Sequence, residues 1–189
     1  MSSPAAGTLP PVRRSIVVGW PPEAAFHRFT TEMASWWPLR TLSVGQERAE
    51  TVVFDGRVGG RIVEGIRGGE EGHWGTVTVW EPPHRVAFTW HPDTEPERAT
   101  DVEVRFVPDG AGTRVELTHT GWERLGALAK EKNRGYSLGW AYVLRLYANR
   151  RGSPVVWGVD ALTWVMGPLL RRKARKEAAA KAQAAGSAG

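Results

Sequence analysis

The run from Trp74 to Trp90 constrains this chain more than any other part of it. Val77 and Val79 alternate with Thr76 and Thr78, and Val86, Phe88 and Trp90 alternate with Ala87 and Thr89. Period-two patterning in β-branched and aromatic residues marks strands with one packed face. Glu81-Pro82-Pro83-His84 separates the two halves, and its prolines cannot donate to a ladder, so they occupy a turn. The segment is therefore a hairpin with one apolar face, and Trp74, Trp80 and Trp90 lie on that face or at its ends.

The same patterning continues on both sides. Val12–Val18 reads as a first strand, stopped by Trp20-Pro21-Pro22. Pro22 suits the first turn of a helix and Glu23 its positive end, so Glu23–Thr31 is expected to be helical, with Phe26 and Phe29 on one face. A second short helix is expected over Thr31–Trp37, ended by Pro38. Strands follow at Thr51–Asp55, Gly60–Ile66, His73–Trp80, Arg85–His91, Thr100–Val107 and Thr113–Thr120, the last two joined through Pro108-Asp109-Gly110-Ala111-Gly112. Short connections make this an antiparallel meander with one face wet. Trp122–Lys132 reads as a short mixed helix. Tyr136–Arg150 reads as the long one, with Tyr136, Trp140, Val143, Leu144 and Tyr147 at helical spacing. The fold class is α+β, a curved antiparallel sheet gripping a long helix, with room for a pocket between them.

Composition excludes several roles. The chain has 189 residues and no cysteine, which rules out a disulfide framework and a thiolate metal site. The net charge is +5, but Arg171, Arg172, Lys173, Arg175, Lys176 and Lys181 against Glu177 alone account for all of it. A neutral body with a basic tail does not have the charge pattern of a nucleic-acid-binding domain. The first residues contain no apolar core of a signal peptide, and no apolar stretch reaches the ~18 residues of a spanning helix. A cytoplasmic location is expected.

The order of elements, with particular motifs, resembles the START-like (SRPBCC) superfamily and its helix-grip fold. The motifs are Val58-Gly59-Gly60-Arg61 leading to Glu64, Trp74-Gly75, and Trp80-Glu81-Pro82-Pro83-His84-Arg85. Phe88-Thr89-Trp90, Val115-Glu116-Leu117-Thr118-His119-Thr120-Gly121-Trp122 and Gly139-Trp140 complete the set. Within the superfamily they are similar to the branch named after the activator of heat-shock-protein ATPase, over roughly residues 12–150. Phe29-Thr30 and Ser35-Trp36-Trp37-Pro38-Leu39 are similar to one of its subgroups. That subgroup often continues Thr-His-Ser, whereas this chain reads Thr41-Leu42-Ser43. The resemblance implies a domain that binds small apolar ligands, or a co-chaperone with a role in stress response.

The site expected from these residues is a ring-lined pocket with a few polar groups for orientation. Trp36, Trp37, Trp74, Trp90, Tyr136 and Trp140 are its candidate walls, and core packing is the competing explanation for each. Trp36-Trp37 before a proline is the first candidate for ligand contact. His119 shares a strand face with Val115 and Leu117, so it points inward as a satisfied core residue, a polar anchor or a general base. Glu64 shares a face with Ile62 and Ile66, although Val63 and Gly65 are the alternative inward pair. A buried Glu64 needs a partner, for which His119 and Tyr136 are candidates. No zinc-type histidine pair, nucleophile elbow, phosphate loop or dinucleotide fingerprint occurs, so no metal, cofactor or catalytic set is assigned.

The expected function is therefore binding of a small hydrophobic or aromatic ligand without chemistry. The alternatives are a cyclase, dehydratase or hydrolase using the same cavity, and a protein-binding module with a filled interior. The expected organisation is a flexible N-terminus over 1–11, the ligand-binding domain over 12–151, an extra apolar helical segment over 152–170 and a basic, partly disordered tail over 171–189. The apolar stretch and basic flank of 155–176 read as a helix packed on the sheet or on a second protomer, with an interfacial membrane anchor as the alternative. A homodimer is among the expected partners, nucleic acid is not.

Overall fold

The computed structural model describes residues 9–149 apart from Asp93. In chain order they form β1 (Val12–Val18), α1 (Pro22–Thr30), α2 (Met33–Trp36), α3 (Leu39–Leu42), β2 (Ala49–Phe54), β3 (Arg61–Ile66) and β4 (Glu70–Glu81). Then come β5 (Arg85–Trp90), β6 (Thr100–Asp109), β7 (Gly112–Thr120) and α4 (Ala129–Tyr147). The strands make one antiparallel sheet in the order β1-β7-β6-β5-β4-β3-β2, so only β1 leaves sequential order. The sheet curls around α4, which is the helix-grip arrangement. The segments 152–170 and 171–189, and the expectations for 155–176, lie outside the described residues.

The core follows the alternation. Val102, Val104 and Phe106 of β6 and Val115, Leu117 and His119 of β7 are all buried on the inner face. On α1, Pro22 stands in the first turn and Phe26 and Phe29 are buried one turn later. Phe26 meets Trp80 edge-on at 4.9 Å, and Phe29 meets Tyr147 of α4 at 5.5 Å. The Tyr147 hydroxyl donates to the Ala25 carbonyl at 2.8 Å, tying the end of α4 to α1. Burial raises the pKa of that phenol.

Three local expectations need correction. Val77 and Val79 do not share a face, because a bulge between them shifts the β4–β5 register. Val77 pairs with Phe88 and stays buried, Val79 pairs with Ala87 on the outer side, and Trp80 turns inward. An extra residue reverses every later side chain, which alternation alone cannot anticipate. The helix expected over Trp122–Lys132 is a 3-10 stretch, Trp122–Leu128, broken at Gly126 with φ 55°. From Ala129 a single helix runs through Gly135 to Tyr147, so the long helix begins seven residues before the expected Tyr136. Lastly, α3 and a 3-10 turn at Gln46–Arg48 occupy a stretch for which no element was expected.

Candidate functional site

Between α4, the α3 segment and the end of β5 lies a partly open cavity of about 460 Å³. Its inner walls are Trp37, Trp90, Trp140 and Val143, all buried. Leu42 and Val44 stand at its mouth, partly exposed. Tyr136 and two helix glycines, Gly135 and Gly139, form the α4 side. Glu131 and Lys132 are the ionisable side chains other than tyrosine that line it, both from the first turn of α4.

The ring walls support one another. Trp37 lies 5.7 Å from Trp90 and 6.1 Å from Trp140, and Trp90 lies 5.6 Å from Trp140. Trp74, fully buried, backs this group at 5.1 Å from Trp37 and 5.6 Å from Trp90. Offset and edge contacts of this kind add to the hydrophobic gain of burial. Adjacent tryptophans in the sequence go to different places. Trp36 ends α2, whereas Trp37 is extended with ψ 134°, and the two rings touch edge-on at 5.8 Å while meeting different further neighbours. Trp36 packs on Phe29 and Tyr147 in the core, and its indole N–H donates to the Arg28 carbonyl at 2.7 Å.

Glu64 points inward with Ile62 and Ile66, and its side chain has no solvent contact. Three N–H groups hold it in place of the His119 or Tyr136 partner expected. Oε1 accepts from the Gly45 amide at 2.8 Å, and Oε2 accepts from the Val44 amide at 2.9 Å and from Trp74 Nε1 at 2.8 Å. The carboxylate thus pins the loop carrying Ser43 and Val44 against the sheet. The fit leaves no room beside it, since a Cβ on Gly45 would stand 2.8 Å from Oε1.

His119 lies behind Trp140, also without solvent contact. An indole N–H can only donate, so the 3.0 Å contact from Trp140 Nε1 makes His119 Nδ1 the acceptor. The ring proton therefore resides on Nε2, which donates to Thr100 Oγ1 at 2.7 Å, and that hydroxyl donates to the Trp90 carbonyl at 2.9 Å. Desolvation lowers the pKa of His119 to about 3, so the imidazole is neutral at physiological pH. Its one lone pair is already engaged, which leaves a general base no free acceptor.

Of the eight candidate residues, the structure brings Trp37, Trp90, Tyr136 and Trp140 to the cavity wall. Trp74, Glu64 and His119 form the layer behind it, and Trp36 belongs to the core between α1 and α4. Sequence reasoning overlooked Ser43, Val44, Gly135 and Pro92 as lining residues. The pair Gly135–Gly139 could have signalled it. These glycines are one helical turn apart, and neither has an atom within 4 Å of where a Cβ would go. Interior helix glycines cost about 1 kcal/mol each relative to alanine, so two that relieve no close contact point to reserved space.

Four buried side-chain polar atoms among the described residues lack a hydrogen-bond partner: Trp37 Nε1, Ser43 Oγ, Trp90 Nε1 and Trp122 Nε1. The first three belong to residues lining the cavity. Trp122 does not; its ring packs on His119 at 4.2 Å.

Comparison with known proteins agrees with this architecture. The family model described as activator of Hsp90 ATPase homolog 1-like protein matches residues 20–146. Among solved structures, the anthrahydroquino-γ-pyrone synthase Txn09 is 36% identical, with TM-score 0.54, covering 76% of this chain and 97% of that one. A protein from Mesorhizobium loti matches at 16% identity and TM-score 0.56, covering 75% and 96%. The Aha1 dimer from Colwellia psychrerythraea matches at 20% identity and TM-score 0.51, covering 72% and 91%. The last two carry the fold alone. No curated protein sequence matches the chain.

Proposed function

Because the chain belongs to the activator of Hsp90 ATPase homolog 1-like family, we propose that its cavity receives a planar aromatic small molecule bearing ketone or hydroxyl oxygens. The observation that carries this reading is the hollow of about 460 Å³ between rings, kept clear by two glycines on the gripped helix. Burial of aromatic surface against Trp37, Trp90 and Trp140 supplies affinity at roughly 25 cal/mol per Å², before the costs of association. A protein-binding module would be expected to have a filled interior, so the hollow favours a small ligand.

A second reading has one specific observation in its favour. The relative at 36% identity is a γ-pyrone synthase, so ring closure on an aromatic substrate is the reaction class this cavity is suited to test. Glu64 and His119 do not offer free acceptor atoms to the cavity, so catalysis here would rest on folding the substrate into a reactive shape and excluding water.

The test is a thermal-shift and tryptophan-quenching panel of chromone, xanthone and anthraquinone. Saturable quenching with a raised Tm is expected for at least one. A flat response across the panel would remove the binding reading. Incubation with an ortho-hydroxyaryl 1,3-diketone, followed by mass spectrometry, separates binding from synthesis. Closure joins the phenol oxygen to the distal carbonyl carbon and releases water, so turnover appears as a loss of 18 mass units.

A further inference from the structure

We propose that Leu42 and Val44 form an apolar lip at the mouth of the cavity that takes an aliphatic chain carried by the aromatic ligand, and that Glu64 is the positioning residue that holds this lip in place. This rests on the binding reading above and gives the ligand a second part, a hydrocarbon tail for the rim beside a flat ring system for the hollow.

Leu42 is 38% and Val44 49% exposed, and both border the hollow. Single exposed apolar side chains are ordinary on a protein surface. The other large ones among the described residues, Val17, Val53, Val58, Leu128 and Leu138, do not line the cavity. The local backbone explains why these two act as a pair. Ser43 is extended, with ψ 157°, and its side chain is buried. Side chains two apart along an extended stretch project to the same side, so Leu42 and Val44 stand together, opposite Ser43. No residue of α3 is buried, so the fold itself does not use Leu42 as core.

The lip is held from behind at both ends. Glu64 Oε2 accepts from the Val44 amide at 2.9 Å and Oε1 from the Gly45 amide at 2.8 Å. Gly45 also backs onto Ile66, whose Cγ1 would stand 2.9 Å from a Cβ at that position. On the other side, the Thr41 and Leu42 amides both donate to the Pro38 carbonyl at 3.0 Å, and the preceding Trp37 is packed against Trp74, Trp90 and Trp140. Neither anchor covers the apolar side of the lip. The lining therefore changes along the way out, from tryptophan rings inside to branched aliphatic groups on this side of the mouth. Apolar burial is non-directional, so a flexible hydrocarbon chain gains by covering Leu42 and Val44 without a fixed geometry. A chain leaving the ring walls completes a burial that the fold leaves undone.

Chromone, 2-pentylchromone and 6-pentylchromone provide the test, with the chain at opposite ends of one ring system. Their affinities are measured by tryptophan quenching on the full chain, wild type and the variants Leu42→Ser, Val44→Ser, Leu138→Ser and Glu64→Gln. A fully buried methylene is worth about fourfold in affinity and one lying along an open lip about twofold, so wild type is expected to prefer at least one pentylchromone over chromone by about tenfold or more. Leu42→Ser and Val44→Ser are each expected to cut that preference by about threefold or more while leaving chromone affinity within about twofold. Leu138→Ser removes a leucine that is 71% exposed on α4 and does not line the cavity, so it should leave the preference unchanged. Glu64→Gln keeps the side-chain size but turns N–H groups towards a donor, so it is expected to shrink the preference as the lip variants do. In wild type, the Val44 and Gly45 amide protons are expected to be protected from hydrogen exchange although they lie on a surface turn. No pentyl preference in wild type, or one that survives both lip substitutions, would overturn the lip while leaving chromone binding intact. A preference retained in Glu64→Gln, or Val44 and Gly45 amides exchanging like an unstructured chain in wild type, would overturn the positioning role whether or not the variant folds. No binding of any of the three probes would overturn the binding reading and this inference with it.

Discussion

A carboxylate without solvent survives at position 64 because three N–H donors converge on it, two from the loop at Val44 and Gly45 and one from Trp74. A neutral imidazole survives at position 119 for the complementary reason, since its lone pair and its N–H are both engaged. That arrangement has a consequence for stability. Folded His119 takes up a proton only near pH 3, whereas an exposed imidazole does so near 6.5. Between these values the unfolded chain binds more protons, so stability rises with pH and is lost as pH falls below 6.5. Wild type is expected to lose about 2 kcal/mol more than His119→Gln between pH 7 and pH 5, at up to 1.4 kcal/mol per unit. Urea denaturation at both pH values checks this, and parallel losses in the two proteins would refute a buried neutral His119. The inward facing of His119 was legible in its alternation with Val115 and Leu117. That of Glu64 was not, because Ile62 and Ile66 argued for one parity and Val63 for the other, and only the converging donors decide.

At the scale of elements, the strands were legible and their irregularities were not. All seven expected strands occur, since each carries its own alternation and turn chemistry. Bulges at Ile62/Val63 and Val77/Val79 are set by neighbours, not by the bulged residues alone. The first brings Trp74 and Gly75 together into the core, where a Cβ on Gly75 would stand 1.8 Å from the Thr89 carbonyl oxygen. That partner is backbone and cannot swing aside. Gly75→Ala should therefore destabilise by roughly 3 kcal/mol, above the usual cost of overpacking because strands must part. Thermal unfolding would register it as a Tm drop of several degrees, and a Tm within 2 °C of wild type, roughly the effect of under 1 kcal/mol, would contradict the close approach. The helix boundary failed for a related reason. Two helices were expected, ending at Lys132 and starting at Tyr136, but one helix crosses the gap because the Trp140 face is held by the sheet.

At the scale of the whole molecule, the grip leaves a hollow that no single element contains. Gly135 and Gly139 open on it from the helix, and Leu42 and Val44 border it from the other side. Filling the hollow should separate folding from function. Gly139→Leu adds a better helix former, about 0.8 kcal/mol more favourable in a helix interior, and directs its side chain into open space. The variant is expected to melt at or above the wild-type Tm and to lose chromone binding by at least about tenfold, because lost contact area and exclusion act together. Unchanged affinity measured by tryptophan quenching would show that ligands bind elsewhere.

The linear order of residues was enough to determine the strands, the apolar helix, the absence of a familiar catalytic motif and the grip architecture, because hydrophobic periodicity and turn chemistry act over a few residues at a time. Which rings border empty space, which polar atoms go without partners and which buried charge holds a loop depend on contacts between residues far apart in the chain. Trp36 and Trp37 are neighbours with the same side chain, and only the packing of α1, α4 and β5 around them sends one to the core and the other to the cavity.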